Sequence, residues 1–126
     1  MDIPDDRRYS ETHEWHKLDG DLLTLGLTRF AVDQLTDITY VEMKEPGTSV
    51  GAGDSVGEIE SVKTTSDVYC GVAGEIVEVN PALGDDPSLV NEDPFGRGWL
   101  VKIRTPDAGA LEDLMDSEAY ARSISG

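Results

Sequence analysis

The sequence predicts a mainly β fold: a small sandwich or barrel of short strands, with a short helix in the N-terminal half and helical segments at the C-terminal end. Three observations carry this. Short alternating or β-branched runs recur along the chain, the mark of half-buried strands. Gly, Pro and Asp-Gly breaks separate them at close intervals. Apolar residues at helical spacing fall after Thr28 and beyond Pro106.

In order along the chain, HEWHKLDGDLLTLGLT reads as a hairpin. Asp19-Gly20 suits the positive φ of a tight turn. Leu23, Leu25 and Leu27 then give the second strand one buried face. Thr28 is placed to cap a helix from Arg29 to about Leu35, with Phe30, Ala31 and Leu35 inward. ITYVEM, residues 38–43, is rich in strand formers and stops at Glu45-Pro46-Gly47. VGAGDSVGEIESVK, TSDVYC and EIVEVN follow as short strands between glycines, ending at Asn80-Pro81. Residues 81–98 read as a loop with one helical turn, and WLVKIR, 99–104, as a further strand. Thr105-Pro106-Asp107 breaks that strand and starts a helix with Leu111, Leu114 and Met115 at helical spacing. Ser117 is placed to cap a last helix with Tyr120 and Ile124. The expected organisation is one domain over 1–126, its C-terminal helical segment at about 107–124.

A net charge of −16, from 26 acids against 10 bases, bears on partners and solvation rather than on fold. It excludes a phosphate-neutralising nucleic-acid surface and disfavours an anionic membrane. The acids are distributed along the chain. This fits an ordinary acidic protein first, with a high-salt cytoplasm, where salt screens the repulsion, as the alternative. One cysteine, Cys70, permits no internal disulfide and reads as a small buried hydrophobe. No apolar run reaches spanning length, and MDIPDDRRYS lacks a signal-peptide core. The expected setting is a prokaryotic cytoplasm, with a processed mature form as the alternative. His13 and His16, taken as alternate positions of one strand, read as sharing a face; without a third ligand of suitable spacing no metal is expected. Trp15 and Trp99 read as core or rim aromatics.

EIESVKTTSDVY, 58–69, sets one lysine among Glu58, Glu60 and Asp67, and no other lysine lies between Lys44 and Lys102. If the flanking runs pair antiparallel, Lys63 stands at a hairpin tip, its side chain in water without a fixed partner. The tip lacks the usual Gly or Asn. GDSVGEIESV and GVAGEIVEVN echo each other on either side. A surface lysine explains this; so does an attachment point, reachable and unique in its context, where a bound cofactor would supply reactivity.

The segment Glu60-Ser61-Val62-Lys63-Thr64-Thr65-Ser66-Asp67 resembles the lipoylation site of glycine cleavage system H proteins, close to E-S-V-K-(A/S/T)-(S/T)-S-D. The likeness covers nearly the whole chain. Tyr9…His13-Glu14-Trp15, Gly26-Leu27-Thr28 with Ala31, Gly74-Glu75-Ile76-Val77, Leu89-Val90-Asn91, Pro94-Phe95, Gly98-Trp99 and the Leu111–Asp116 run all match family positions. Lipoyl domains of 2-oxo acid dehydrogenases tend to D-K-A and biotinyl domains to M-K-M, unlike Val62-Lys63-Thr64. The resemblance implies a lipoyl-type barrel-sandwich of two antiparallel sheets and a non-catalytic carrier, a monomer with lipoic acid in amide linkage on Lys63. Glu60, Ser61, Val62, Thr64, Ser66 and Asp67 would form the recognition surface around the lysine. A pyridoxal-phosphate glycine decarboxylase would load an aminomethyl group, a tetrahydrofolate-dependent aminomethyltransferase would unload it, and dihydrolipoamide dehydrogenase would reoxidise the dithiol. Lipoate-attaching enzymes would be further partners. Glu14, with Thr12 and Asp67 as weaker candidates, is expected to pair with the cationic amine in a cleft. The same lysine would also serve a relay passing lipoyl or octanoyl groups to other complexes.

Overall fold

The computed structural model describes residues 3–106 and 108–125. The strands are β1 Arg8–Tyr9, β2 Glu14–Asp19, β3 Leu22–Leu27, β4 Ile38–Met43, β5 Ser49–Val50, β6 Ser55–Ser61, β7 Thr65–Tyr69, β8 Gly74–Val79 and β9 Val101–Arg104. The helices are α1 Arg29–Leu35, α2 Ala82–Asp85, α3 Leu89–Glu92 and α4 Ser117–Ser125, with a 3-10 helix at Ala108–Asp113. Among the described residues the strands form two antiparallel sheets, ordered β1-β2-β3-β9-β8-β5 and β4-β6-β7. The inward faces of both close on one core that includes Leu23, Leu25, Ile59, Val68, Ile76, Leu100, Val101 and Ile103.

Local chemistry explains the elements. In the β2–β3 hairpin Asp19 faces Leu22, so Gly20 and Asp21 make the turn, and Gly20 supplies φ +66. The Thr28 hydroxyl accepts from the Ala31 amide at 3.2 Å and starts α1 where the sequence predicts. The buried positions of α1 are Val32 and Leu35. Phe30 and Ala31 are only half-buried: both line a cleft, and Ala31 also packs against the core.

The Gly-Glu-Ile echo has a structural meaning. Gly57 and Gly74 each lie against a neighbouring strand's backbone: a Cβ would meet the Glu42 carbonyl oxygen at 2.4 Å in one case and the Arg104 carbonyl oxygen at 2.5 Å in the other. Two residues on, Ile59 and Ile76 are fully buried. The echo is one strand unit used once in each sheet, β6 and β8.

Four local expectations change. The 81–98 loop holds two helical turns, α2 and α3. The strand expected over 99–104 begins at Val101, because the Asn80 side-chain amide takes the Trp99 carbonyl and that residue leaves the ladder. The helix start expected at Asp107 lies outside the described residues. Leu114 and Met115 fall beyond the 3-10 helix, and Met115 bridges to Tyr9. The cap of α4 is Asp116 and not Ser117: its carboxylate accepts from the Ala119 amide at 2.8 Å. Tyr120 of α4 then joins Tyr9 and Trp15 in a second, aromatic cluster.

Candidate functional site

The Lys63 tip is a four-residue turn, Ser61 to Thr64, closed by the Ser61 amide to the Thr64 carbonyl at 2.8 Å. The Ser61 hydroxyl accepts from the amides of Lys63 (3.2 Å) and Thr64 (3.1 Å). This side-chain clamp does the work usually done by Gly or Asn, and neither Val62 nor Lys63 needs positive φ. Val62, Lys63 and Thr64 are exposed, Val62 at 69%. The lysine is partnered, contrary to expectation. Its Nζ donates to the Gln34 carbonyl of α1 at 3.3 Å, since the last turn of a helix leaves carbonyls free for a cation. The Val62 amide donates to the Asp37 carbonyl at 3.0 Å, tying the tip to the segment after α1.

Gln34 also lines a cleft of about 290 Å³. Its apolar side is Leu27, Phe30, Ala31, Leu35, Ile59 and Val68; its polar side is Thr12, His13, Glu14, Ser66 and Asp67. Of the residues expected around the lysine, Ser66 and Asp67 reach this cleft, while Glu60 faces solvent on β6. Ser61, Val62 and Thr64 stay at the tip.

Glu14 is 1% exposed. Its Oε1 accepts from the Ser10 hydroxyl at 2.6 Å and from the Thr12 hydroxyl; its Oε2 accepts from the Tyr69 amide at 3.2 Å. Burial raises its carboxyl above the ordinary range, although the hydroxyl and amide donors oppose this. These donors hold the carboxyl group in place, and a cation entering the cleft would stabilise its charged form.

Two residues on, His16 accepts from the Gly71 amide at 2.9 Å through Nε2. Glu14 and His16 therefore satisfy one amide at the end of β7 and one in the segment just after it, and so couple the sheets. Burial pulls the His16 imidazole down to about 4. His13 does not share this face. It is three positions from His16 and precedes β2 at φ 73. Its Nδ1 lies 2.9 Å from the Tyr120 hydroxyl, which lies 2.7 Å from the Thr28 hydroxyl. Trp15 is core, with its indole N–H on the Pro94 carbonyl, and Trp99 is half-buried under Lys102. Cys70 is fully buried, and burial pushes its thiol up to about 11.

Sequence reasoning missed Ser10, Gln34 and the β7 edge. Ser10-x-Thr12-x-Glu14 carries a signal for the first, an alternation of two hydroxyls leading to an acid. Gln34 acts through its backbone, and the Tyr69 amide has no side-chain signature.

Known proteins resemble this chain over nearly its whole length. A family model described as glycine cleavage H-protein matches residues 7–126. The glycine cleavage system H protein of Thermus thermophilus is 52% identical over 120 residues, 95% of this chain and 94% of its own. A probable glycine cleavage system H protein of Haloarcula marismortui is 45% identical over 124 residues, 98% of each chain. The crystal structure of a glycine cleavage system H protein from Mycobacterium marinum superposes with a TM-score of 0.89 at 39% identity, covering 98% of this chain and 100% of that one.

Proposed function

We propose, from the premise that the chain belongs to the glycine cleavage H-protein family, that Lys63 is the lipoyl attachment residue of a carrier whose cargo is held by Glu14. The chain's role in that family is that of a lipoyl carrier of the glycine cleavage system. One observation supports the site reading most: the exposed lysine and the cleft with its buried carboxylate share Gln34.

Lipoic acid fits the residues present. The tip offers an accessible amine, and an apolar wall of Leu27, Phe30, Leu35 and Ile59 lies beside it. When attached, the lipoyl group supplies a disulfide that accepts the aminomethyl group of glycine and later a dithiol for reoxidation. The chain's own residues do the rest. Amide formation on Nζ removes the charge that binds the Gln34 carbonyl and frees the side chain from the end of α1. The apolar wall excludes water around the arm. Glu14, oriented by Ser10, Thr12 and the Tyr69 amide, receives the cationic amine, and Asp67 and Ser66 stand beside it at the cleft wall. A charge-assisted bond in a shielded cleft is worth about 1.5–3 kcal/mol, enough to slow loss of the carbon as formaldehyde.

The decarboxylase, the aminomethyltransferase, dihydrolipoamide dehydrogenase and lipoate-attaching enzymes are the partners this role needs. Glu60, Ser61, Val62, Thr64, Ser66 and Asp67 are the surface a modifying enzyme would read. A prokaryotic, salt-rich cytoplasm suits the net charge of −16 and the likeness to the Haloarcula protein. Among the described residues no helix is long and apolar enough to cross a membrane. Reconstitution with the three partner enzymes tests the function. Glycine-dependent carbon dioxide exchange is expected with the lipoylated chain and not before lipoylation; equal exchange in both forms, or none in either, contradicts it.

A further inference from the structure

The carrier chemistry leaves Asn91 without a task, although it closes the Leu89-Val90-Asn91 run on α3. Its contacts are specific. The side-chain Nδ2 donates to the Thr36 carbonyl at 2.7 Å, and Oδ1 accepts from the Ile38 amide at 2.9 Å. One side chain thus bridges both ends of segment 36–38. The Asn91 carbonyl accepts from Arg29 Nη1 at 2.7 Å, so the same residue reaches both ends of α1.

The bridged segment is strained. Thr36 has φ 63 and ψ −140, a region that glycine occupies and a β-branched residue avoids. A conformation of this kind persists only where surrounding bonds over-determine it. Here those bonds include the two from Asn91, the Thr36 amide to the Val32 carbonyl at 3.0 Å and the Thr36 hydroxyl to the Leu35 carbonyl at 2.5 Å. Between the two Asn91 bonds lies Asp37, whose carbonyl holds the Val62 amide. Two residues before Thr36 lies Gln34, whose carbonyl holds Lys63 Nζ. The strained segment is therefore what the lysine tip rests on.

We propose that Asn91 is a positioning residue for the carrier site: it holds the 36–38 segment in its strained form and thereby fixes the backbone of the Lys63 tip against the cleft. Its effect on the arm rests on the lipoyl reading; its hold on the tip does not, and is measurable on the unmodified chain.

Amide hydrogen exchange on the full chain tests it. Asn91→Ala is expected to accelerate exchange of the Val62 amide by at least about tenfold, the scale of losing two ordinary hydrogen bonds. The amides of Ile76 and Leu100, bonded to the Thr48 and Leu25 carbonyls in the core, are expected to keep their rates. Asn91→Asp, which keeps the acceptor for Ile38 and loses the donor to Thr36, is expected to act in the same direction and serves if Asn91→Ala fails to fold. Adding Thr36→Gly, which removes the strain, is expected to restore at least half of the lost Val62 protection. An unchanged Val62 rate overturns the proposal. So does uniform acceleration of all amides, which would make Asn91 a plain anchor, and so does no recovery with Thr36→Gly. In the lipoylated, glycine-loaded carrier, Asn91→Ala is further expected to release formaldehyde several-fold faster than wild type. Should Glu14→Ala leave release unchanged as well, the arm reading fails, while Val62 exchange still decides Asn91.

Discussion

The Lys63 tip and the Glu14 pocket stand at opposite extremes of the same molecule. Lys63 sits on an exposed turn, set by Ser61 and by two backbone carbonyls. Glu14 is buried, and its oxygens meet donors from two separate parts of the chain. An attachment point asks little of its surroundings beyond reach. A cargo site asks for a charge kept from water, and every bond around it is needed to keep that charge in place. Changes at the tip should therefore alter function without altering stability, while changes at the pocket should alter both.

The largest expected effect is at the tip. Lys63→Arg removes the acylable amine, and carrier turnover in the reconstituted system should vanish. Its thermal unfolding should shift by no more than about 0.5 kcal/mol, as for an ordinary surface substitution. A large stability loss would blur the contrast between the two regions. Glu14→Ala comes next. The loaded carrier should release formaldehyde roughly ten- to a hundredfold faster, the weight of one charge-assisted bond. Stability should also fall by about 1–3 kcal/mol, because Glu14 is fully buried and its loss leaves the Ser10 hydroxyl and the Tyr69 amide without their acceptor. Since burial holds the Glu14 carboxyl above its ordinary range, retention of the arm should weaken on acidification before exposed carboxylates titrate.

His16 gives the third effect, on stability alone. Its pKa falls from 6.5 in the unfolded chain to about 4 in the fold. The fold therefore favours neutral imidazole. That contribution is complete above pH 6.5 and is lost as pH falls from there toward 4, to a total of about 3 kcal/mol. Glu14 titrates in the opposite sense, so the comparison must be with His16→Gln, which keeps an acceptor for the Gly71 amide. The variant should show a flatter stability profile between pH 6.5 and 4; equal profiles would assign acid sensitivity elsewhere. The smallest effect is at Cys70. With its thiol pushed up to about 11 and fully buried, it should resist iodoacetamide in the native chain and react only on unfolding. Cys70→Ala should cost about 1 kcal/mol of packing.

The two regions also differ in how far they could be read from the sequence. The exposed turn at Lys63 was legible because a short strand-turn-strand segment is a local pattern. The Thr28 cap, the span of α1 and the Leu23, Leu25, Leu27 face were legible for the same reason. The Glu14 pocket was legible as a residue and not as a place. The Tyr69 amide reaches it only through sheet-to-sheet packing, and of the α1 positions read as inward Leu35 is buried while Phe30 is only half-buried, because a cleft invisible in helical spacing opens beside it. His13 and His16 were misread together: three positions apart, they would face opposite ways even along an unbroken strand, and the positive φ at His13 takes that residue out of β2 altogether. The Asp116 cap in place of Ser117 is a shift of one residue, and Asp and Ser are about equally good caps.

The central claim is that one lysine out of Lys17, Lys44, Lys63 and Lys102 carries the arm. Peptide mapping by mass spectrometry, on chain expressed in lipoate-competent cells, tests it most directly. A single lipoyl group is expected, on the peptide containing Lys63, and none anywhere on Lys63→Arg. An unmodified chain under those conditions, or a lipoyl group on Lys17, Lys44 or Lys102, would contradict it.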